Sequence, residues 1–368
     1  MTWVVPPLAL VVTFLLAALT AVVLAPLAIG GGPVDNPRAR GAHAEPTPTS
    51  GGLVIMAATA LSIGLALGLW GRDIPGSARD GLALFGFAAL LGVSGAVDDM
   101  FDLPPRLRLL FQAVACLVFA WFYRVTTLDF GFGLTIQVWM PIGLLGSALW
   151  LLVGVNAVNF MDGSNGLAIG AQGLSLLVLS GLMLMAAGES AFGAYLGLVV
   201  IVCVAAAGAH AGFLPFNLPL GKVFQGDAGS LFGGGLITGT ALVLKAYGAA
   251  SVWFAGFVLA PLLVDVVLTL CVRLSERKDV FRPHKEHLYQ LWLQHRDGDH
   301  GRLALWVWGL CAACSLIGFG VHVIDAAWRI DLRFPLLLVV VAGLSVLWVR
   351  TRRRLLAARS AFRDEVSD

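Results

Sequence analysis

Charge is what this chain has little of. Only 12% of its 368 residues are Asp, Glu, Lys or Arg, about half the share of an ordinary soluble domain. The charges that exist are pushed between apolar runs, many of 18 or more residues. Such runs exclude a water-soluble fold, because they have the length and polarity of helices that satisfy their own backbone in lipid. Cysteine is also sparse, and all five (Cys116, Cys203, Cys271, Cys311, Cys314) lie within or at the edge of apolar runs. Cys311-x-x-Cys314 has redox-motif spacing but no βαβ context, so packing is the expected role. No basic patch with interleaved aromatics occurs, which argues against a nucleic-acid partner. No clear internal repeat is present, and many transporters are built from repeats. No Lys or Arg precedes the first apolar run, which exceeds a signal-peptide core. A retained helix with its N-terminus outside is therefore expected.

Hydrophobic residues make up 58% of the chain. They divide into spans near 3–30, 51–70, 81–97, 107–123, 139–160, 167–187, 192–210, 229–245, 251–272, 303–322 and 334–349. The third and eleventh are short, so the count is 10–11. The expected fold is an all-α integral membrane protein, a polytopic bundle of about 11 transmembrane helices. Residues 1–350 form one membrane domain, and 351–368 a tail at the membrane surface. Glycine, at 44 residues, lets helices approach closely in patterns such as Gly64-x-x-x-Gly68.

Polar residues gather in five clusters: Asp35-Asn36-Pro37-Arg38 with His43; Asp98-Asp99; Asn156, Asn159, Asp162 and Asn165; Gly226-Asp227-Ala228-Gly229-Ser230; and Arg282-Pro283-His284-x-x-His287. They follow the first, third, fifth, seventh and ninth spans. Each crossing changes side, so all five fall on one side and one pocket could draw on them. With the N-terminus outside, eighteen of the 24 Lys and Arg residues share that side. The positive-inside rule makes it the cytosol and puts the C-terminus there too. The loops 31–50, 98–106, 161–166, 211–228 and 273–302 then form the site, and the last has room for a short helix over it.

Each cluster has a chemical reading and a plain one. Adjacent carboxylates at Asp98-Asp99 repel and call for a cation such as Mg²⁺, or they merely end a span. Asp227 lies just before the eighth span, in a glycine-rich turn whose amides could attract phosphate or simply cap the helix. The Asn156, Asn159, Asp162, Asn165 series drifts slowly around a helix face, which suits a substrate wall or a seam between helices. Arg282, Lys285, His284 and His287 suit an anionic substrate, or form a solvated loop. His210 near the end of its span could serve the site or packing. Asp265 lies deep in a span, where insertion costs about 2.5–3.5 kcal/mol, and so should face the bundle interior. Acids, a phosphate-type turn and a basic histidine loop on one face together suggest phosphoryl transfer between a soluble nucleotide substrate and a lipid.

The motifs Val97-Asp98-Asp99, Asn159-Phe160-Met161-Asp162-Gly163, Gly226-Asp227-Ala228-Gly229-Ser230 and Pro283-His284-x-x-His287-Leu288-Tyr289-Gln290 occur in that order. They follow an Asp-Asn-Pro…Pro-Thr-Pro…Gly51-Gly52 segment. Over about residues 33 to 291 the chain resembles the polytopic polyprenyl-phosphate N-acetylhexosamine-1-phosphate transferases, which include phospho-MurNAc-pentapeptide transferase. The resemblance implies that a polyprenyl phosphate attacks the β-phosphorus of a UDP-sugar, giving polyprenyl-diphospho-sugar and UMP with Mg²⁺ (Mn²⁺ as a substitute). By motif position Asp227 and Asp99 would hold the metal, and Asp98 and Asp99 would position or deprotonate the lipid phosphate. Asn159, Asp162 and Asn165 would bind the nucleotide-sugar, while the clusters themselves add Asn156, Arg282 and Lys285 as substrate-binding candidates. Phe224 would stack on uracil, and His284 and His287 would contact diphosphate or sugar. A bacterial inner-membrane location and a homodimer are further implications. Asn165 stands where muramyl-pentapeptide enzymes carry a second Asp, and Glu45 where they carry Lys. The histidine loop differs too, which favours the O-antigen or GlcNAc-type branch. The competing reading is a multispan transporter or flippase for a lipid-linked or anionic solute. Transporters of that kind carry their polar groups near mid-membrane on broken helices, whereas here only Asp265 is deep.

Overall fold

The computed structural model describes residues 5–31, 34–35, 46–72, 74, 78–187, 196–280, 282, 284–295 and 298–367, with backbone alone for 35, 187 and 360–367. The helices are α1 (Pro7–Gly30), α2 (Gly51–Trp70), α3 (Arg79–Phe101), α4 (Pro105–Tyr123), α5 (Met140–Phe160), α6 (Leu167–Ala187), α7 (Gly197–Asn217), α8 (Gly226–Ala246), α9 (Trp253–Ser275), α10 (Leu288–His295), α11 (His300–Trp328) and α12 (Arg333–Ser367). Eleven of them are long and apolar enough to cross a membrane, all but α10. The protein is an all-α, multi-pass membrane protein.

The third span is a full 23-residue helix because Asp98 and Asp99 stay helical at its end. The last helix also outruns its apolar stretch. It continues through the basic residues after Trp348 to Ser367, so the expected tail is helical.

Helices α7 and α8 form the enclosed centre and are buried along nearly their whole length. α3 packs on α8, α1 on α7, and α5 and α6 complete the ring. α3 and α8 meet through backbone. A Cβ at Gly95 would overlap the main chain of Asp227 and Ala228. That close approach brings the end of α3 onto the start of α8.

α9, α11 and α12 form an outer group on one flank. At the end of the bundle away from the acidic clusters, strands β3 (Thr127–Asp129) and β4 (Thr135–Gln137) make an antiparallel pair. Lys245 reaches Asp129 there at 3.0 Å. At the other end, β1 (Val34–Asp35) pairs with β2 (Thr47–Pro48). The rest of the first polar cluster, from Asn36 to His43, lies outside the described residues, as does Pro283.

Candidate active site

α3 delivers Asp98 and Asp99 in its last turn, and the chain then reverses sharply. Asp102 takes a left-handed backbone (φ 49°). Pro105 opens α4, since a proline at the first helical position sacrifices no intrahelical bond. The corner is locked by the Leu103 amide donating to Asp98 Oδ1 at 2.9 Å. Arg108, one turn into α4, folds back over it. Its Nη1 lies 2.5 Å from Asp98 Oδ2 and 3.0 Å from Asp227 Oδ2. One guanidinium therefore joins the ends of α3 and α8.

Asp227 sits inside the first turn of α8, not ahead of the helix as the sequence pattern predicts. Gly226 makes the entry with φ +62°, and a Cβ there would strike the Asp99 carboxylate. Asp99 in turn accepts the amides of Asp227 (3.3 Å) and Ala228 (3.4 Å). A carboxylate at a helix N-terminus offsets the positive end of its dipole. The amides expected to attract phosphate are thus already engaged by Asp99.

Asn159, in the last turn of α5, donates from Nδ2 to Asp227 Oδ1 at 2.8 Å and to Ser230 Oγ at 2.9 Å. Three helices, α3, α5 and α8, consequently converge on one polar network with Arg108 from α4. It carries three carboxylates against one guanidinium.

The series at 156, 159, 162 and 165 does not remain on one helix face, because α5 stops at Phe160. Asn156 is turned into a seam between α4 and α5, bonded to Gln112 at 2.8 Å and to the Leu152 carbonyl at 2.9 Å. Bonded there, it does not join the acidic network. Asp162 lies just past the helix and receives Gln225 Nε2 at 2.7 Å. Burial pushes its carboxyl well above the usual carboxylate range, and the charges of Asp227 and Asp99 add to this against the Gln225 bond. Asn165 stands apart, its backbone N–H 3.2 Å from His300 Nδ1. Phe224 is half-buried in the segment before α8, its amide bonded to the Pro48 carbonyl.

The histidine loop forms a second cluster. The rings of His284 and His287 lie 4.9 Å apart. Burial pushes the His284 pKa down to about 4, with the neighbouring His287 and Arg273 adding to it. His287 is lowered as well, by burial first and against the pull of Asp265. Both are therefore neutral near pH 7, so the positive charge expected of this loop falls to its Arg and Lys residues. Lys285 is half-buried and the Arg282 side chain is exposed. His210 is fully enclosed, between Gln172 (2.6 Å) and the Ala206 carbonyl (2.7 Å), and is a packing residue.

Arg108, Gln225 and Gln112 escaped the sequence reading. Arg108 had one usable signal, a basic side chain at the opening of an apolar span ten residues after an acidic pair.

The sequence profile of the family described as Glycosyl transferase family 4 matches residues 82–245. Phospho-N-acetylmuramoyl-pentapeptide-transferase of Granulibacter bethesdensis is 34% identical over 64% of this chain and 70% of its own length. The probable undecaprenyl-phosphate N-acetylglucosaminyl 1-phosphate transferase of Bacillus subtilis is 30% identical over 76% of each. This chain belongs to the polyprenyl-phosphate N-acetylhexosamine-1-phosphate transferase family.

A third relative, the undecaprenyl-phosphate alpha-N-acetylglucosaminyl 1-phosphate transferase of Thermotoga maritima, is 30% identical over 70% of this chain and 72% of its own. Relatives of both the muramyl-pentapeptide and the N-acetylglucosaminyl kind therefore align with this member. The profile runs from α3 to α8 and so contains the whole carboxylate network with Arg108. The histidine loop and the helices after it lie beyond the matched stretch.

Proposed function

We propose that this protein transfers N-acetylhexosamine 1-phosphate from a UDP-sugar to undecaprenyl phosphate at the cytosolic face of a bacterial inner membrane. The products are polyprenyl-diphospho-sugar and UMP. An oxygen of the lipid phosphate attacks the β-phosphorus directly, and the bond from that phosphorus to the bridging oxygen breaks, so UMP leaves with that oxygen. The observation that carries the reading is the Asp98–Arg108–Asp227–Asn159 network, which gathers an acidic pair and a third carboxylate at one end of an apolar bundle. The cytosolic assignment rests on the basic-residue asymmetry.

Among the described residues no group of three or more His, Cys, Asp or Glu is arranged around a common metal position. Mg²⁺ does not need one, since it commonly takes one or two carboxylates together with substrate phosphates. Three carboxylates against a single guanidinium leave surplus negative charge where two phosphorylated substrates must meet, and that donor set fits a hard divalent cation. Asp227 and Asp99 would hold it, each keeping lone pairs beyond those used in the network. Bound there, Mg²⁺ supplies neutralisation of phosphate charge as the bond to the leaving group breaks.

Asp98 keeps Arg108 over the entry, Asn159 fixes the rotamer of Asp227, and Gln225 orients Asp162 toward the nucleotide-sugar. The neutral histidines of the loop suit hydrogen bonding to sugar or diphosphate. The departures at Asn165 and Glu45 favour a UDP-GlcNAc-type donor and an envelope-polysaccharide product. The test is UMP release by purified protein with undecaprenyl phosphate and a panel of UDP-N-acetylhexosamines, with Mg²⁺ or EDTA, beside Asp227→Ala. Metal-dependent release that D227A abolishes supports the reading. No release with any donor from well-folded protein sinks it and favours the transporter.

A further inference from the structure

Helix α12 lies on the outside of the bundle, and Trp348 is its one deeply buried apolar side chain among those described. That indole donates its Nε1–H to Asp265 Oδ1 at 2.9 Å. Asp265, deep in α9, is fully used. Oδ1 also accepts the Leu288 amide at 2.7 Å and the Thr269 hydroxyl at 3.2 Å, and Oδ2 accepts the Tyr289 amide at 3.2 Å. Leu288 and Tyr289 are the first two residues of α10. Asp265 is thus the N-terminal cap of α10, supplied from another helix, and one residue before α10 stands His287. Its Nδ1 is 4.0 Å from the same carboxylate and has no hydrogen-bond partner.

A second tie lies one turn further along α12. Arg352 donates to the Glu286 carbonyl at 2.9 Å and stacks over the Trp348 ring at 5.3 Å. The Glu286 carboxylate is meanwhile held by Arg273 (2.8 Å) and Lys278 (3.2 Å). From α10, the Tyr289 hydroxyl reaches the Phe160 carbonyl at 3.0 Å, at the end of α5 and beside Asp162. The chain of contacts therefore runs from the last helix, through the histidine loop, to the wall that carries Asn159.

We propose that α12 is a positioning element of the active site, with Trp348 and Arg352 holding the His284–His287 loop through Asp265 and the Glu286 carbonyl. The proposal rests on the transferase reading for its kinetic part only. Neither residue touches the reacting groups. They set where the histidines stand. A carboxylate buried inside the protein, with both oxygens accepting hydrogen bonds, has one favourable arrangement, so the clamp has little freedom to drift.

The test uses the full-length protein with Trp348→Phe, which removes only the indole N–H and keeps an aromatic ring, Arg352→Ala, and Arg352→Lys as the conservative variant. Three quantities are read: kcat and KM for both substrates, the melting midpoint in detergent, and the rate of trypsin cleavage after Arg277, Lys278 and Lys285. W348F and R352A are expected to lower kcat about tenfold each, because a loop that is no longer held keeps His284 and His287 in the productive place for a smaller share of the time. KM for the lipid acceptor and the melting midpoint should stay close to wild type. Loop cleavage should accelerate severalfold, and R352K should restore most of both. Wild-type kcat and wild-type cleavage in W348F and R352A would overturn the proposal. So would a loss of activity that merely follows a lowered melting midpoint. A wild-type protein that releases no UMP would count against the transferase reading alone, because the cleavage rates still decide whether α12 holds the loop.

Discussion

Asn159 and Asp227, on α5 and α8, meet at 2.8 Å, and the amide of the first donates to the carboxylate of the second. The same nitrogen reaches Ser230, one turn further along α8. Asn159 therefore sets both the rotamer of Asp227 and the register of α5 against the helix that carries it. Asn159→Ala removes two bonds, one of them to a charged group. It should lower kcat about 10- to 100-fold, the equivalent of roughly 1.5–3 kcal/mol. Asn159→Asp is close in shape but sets two carboxylates face to face, so it should be worse than Ala. Equal rates for the two variants, measured by UMP release, would argue that Asn159 only fills space.

Arg108 bridges Asp98 and Asp227. Arg108→Ala leaves three carboxylates without their cation and should cost about 100-fold in activity, since breaking such a network exposes unpaired charge. Arg108→Lys keeps the charge but not the planar fork, and should fall between. With Mg²⁺ held by Asp227 and Asp99 as proposed, its concentration for half-maximal rate should shift downward in the alanine variant, because the site has become more negative. A titration of rate against Mg²⁺ reads this directly, and an unchanged midpoint would speak against a shared electrostatic site.

Gly95 lies where α3 touches the backbone of Asp227, and a methyl group has no room there. Gly95→Ala should lower stability by about 1–3 kcal/mol, the usual range for overpacking. It should lower activity as well, by prising Asp98 and Asp99 away from α8. Gly86→Ala on the same helix meets nothing within 4 Å and should leave the melting midpoint in detergent close to wild type. If the two variants melt alike, the α3–α8 contact is not as close as described.

The histidine loop makes stability depend on pH in a definite direction. His284 is pushed from the ordinary 6.5 down to about 4 by burial, then by His287, Arg273 and Lys278, against the pull of Glu286. His287 moves the same way, with Asp265 and Glu286 opposing. Between those values the unfolded chain takes up protons that the folded chain does not. The contribution is present above the unfolded pKa and is lost as pH falls from about 6.5 toward 4. Thermal melts across that interval should fall more steeply for the wild type than for His284→Gln. Parallel curves would mean that His284 is not held neutral.

Much of this protein was legible without coordinates, for reasons that are local. A membrane span is a matter of length and polarity along the chain, so the eleven spans, their order and the placing of the described polar clusters at one end could be read residue by residue. The motif order around Asp98, Asp99, Asn159, Asp162 and Asp227 was equally linear and pointed to the family that the relatives establish. Helix ends were harder. Asp98-Asp99 and Gly226-Asp227 read as span-breaking loops, yet each stays helical because a neighbour satisfies its polar groups.

What only the tertiary structure decided were pairings between residues far apart in sequence. Asp99 caps α8, Arg108 joins Asp98 to Asp227, and Asp265 caps α10 under Trp348. Asn156 and Asn159 are the same residue type one helical turn apart, yet one faces Gln112 in a seam and the other faces Asp227 in the carboxylate network. No local pattern separates them. Which polar group meets which depends on how closely the helices pack and at what rotation, and that is set by small residues such as Gly95 together with the whole bundle around them.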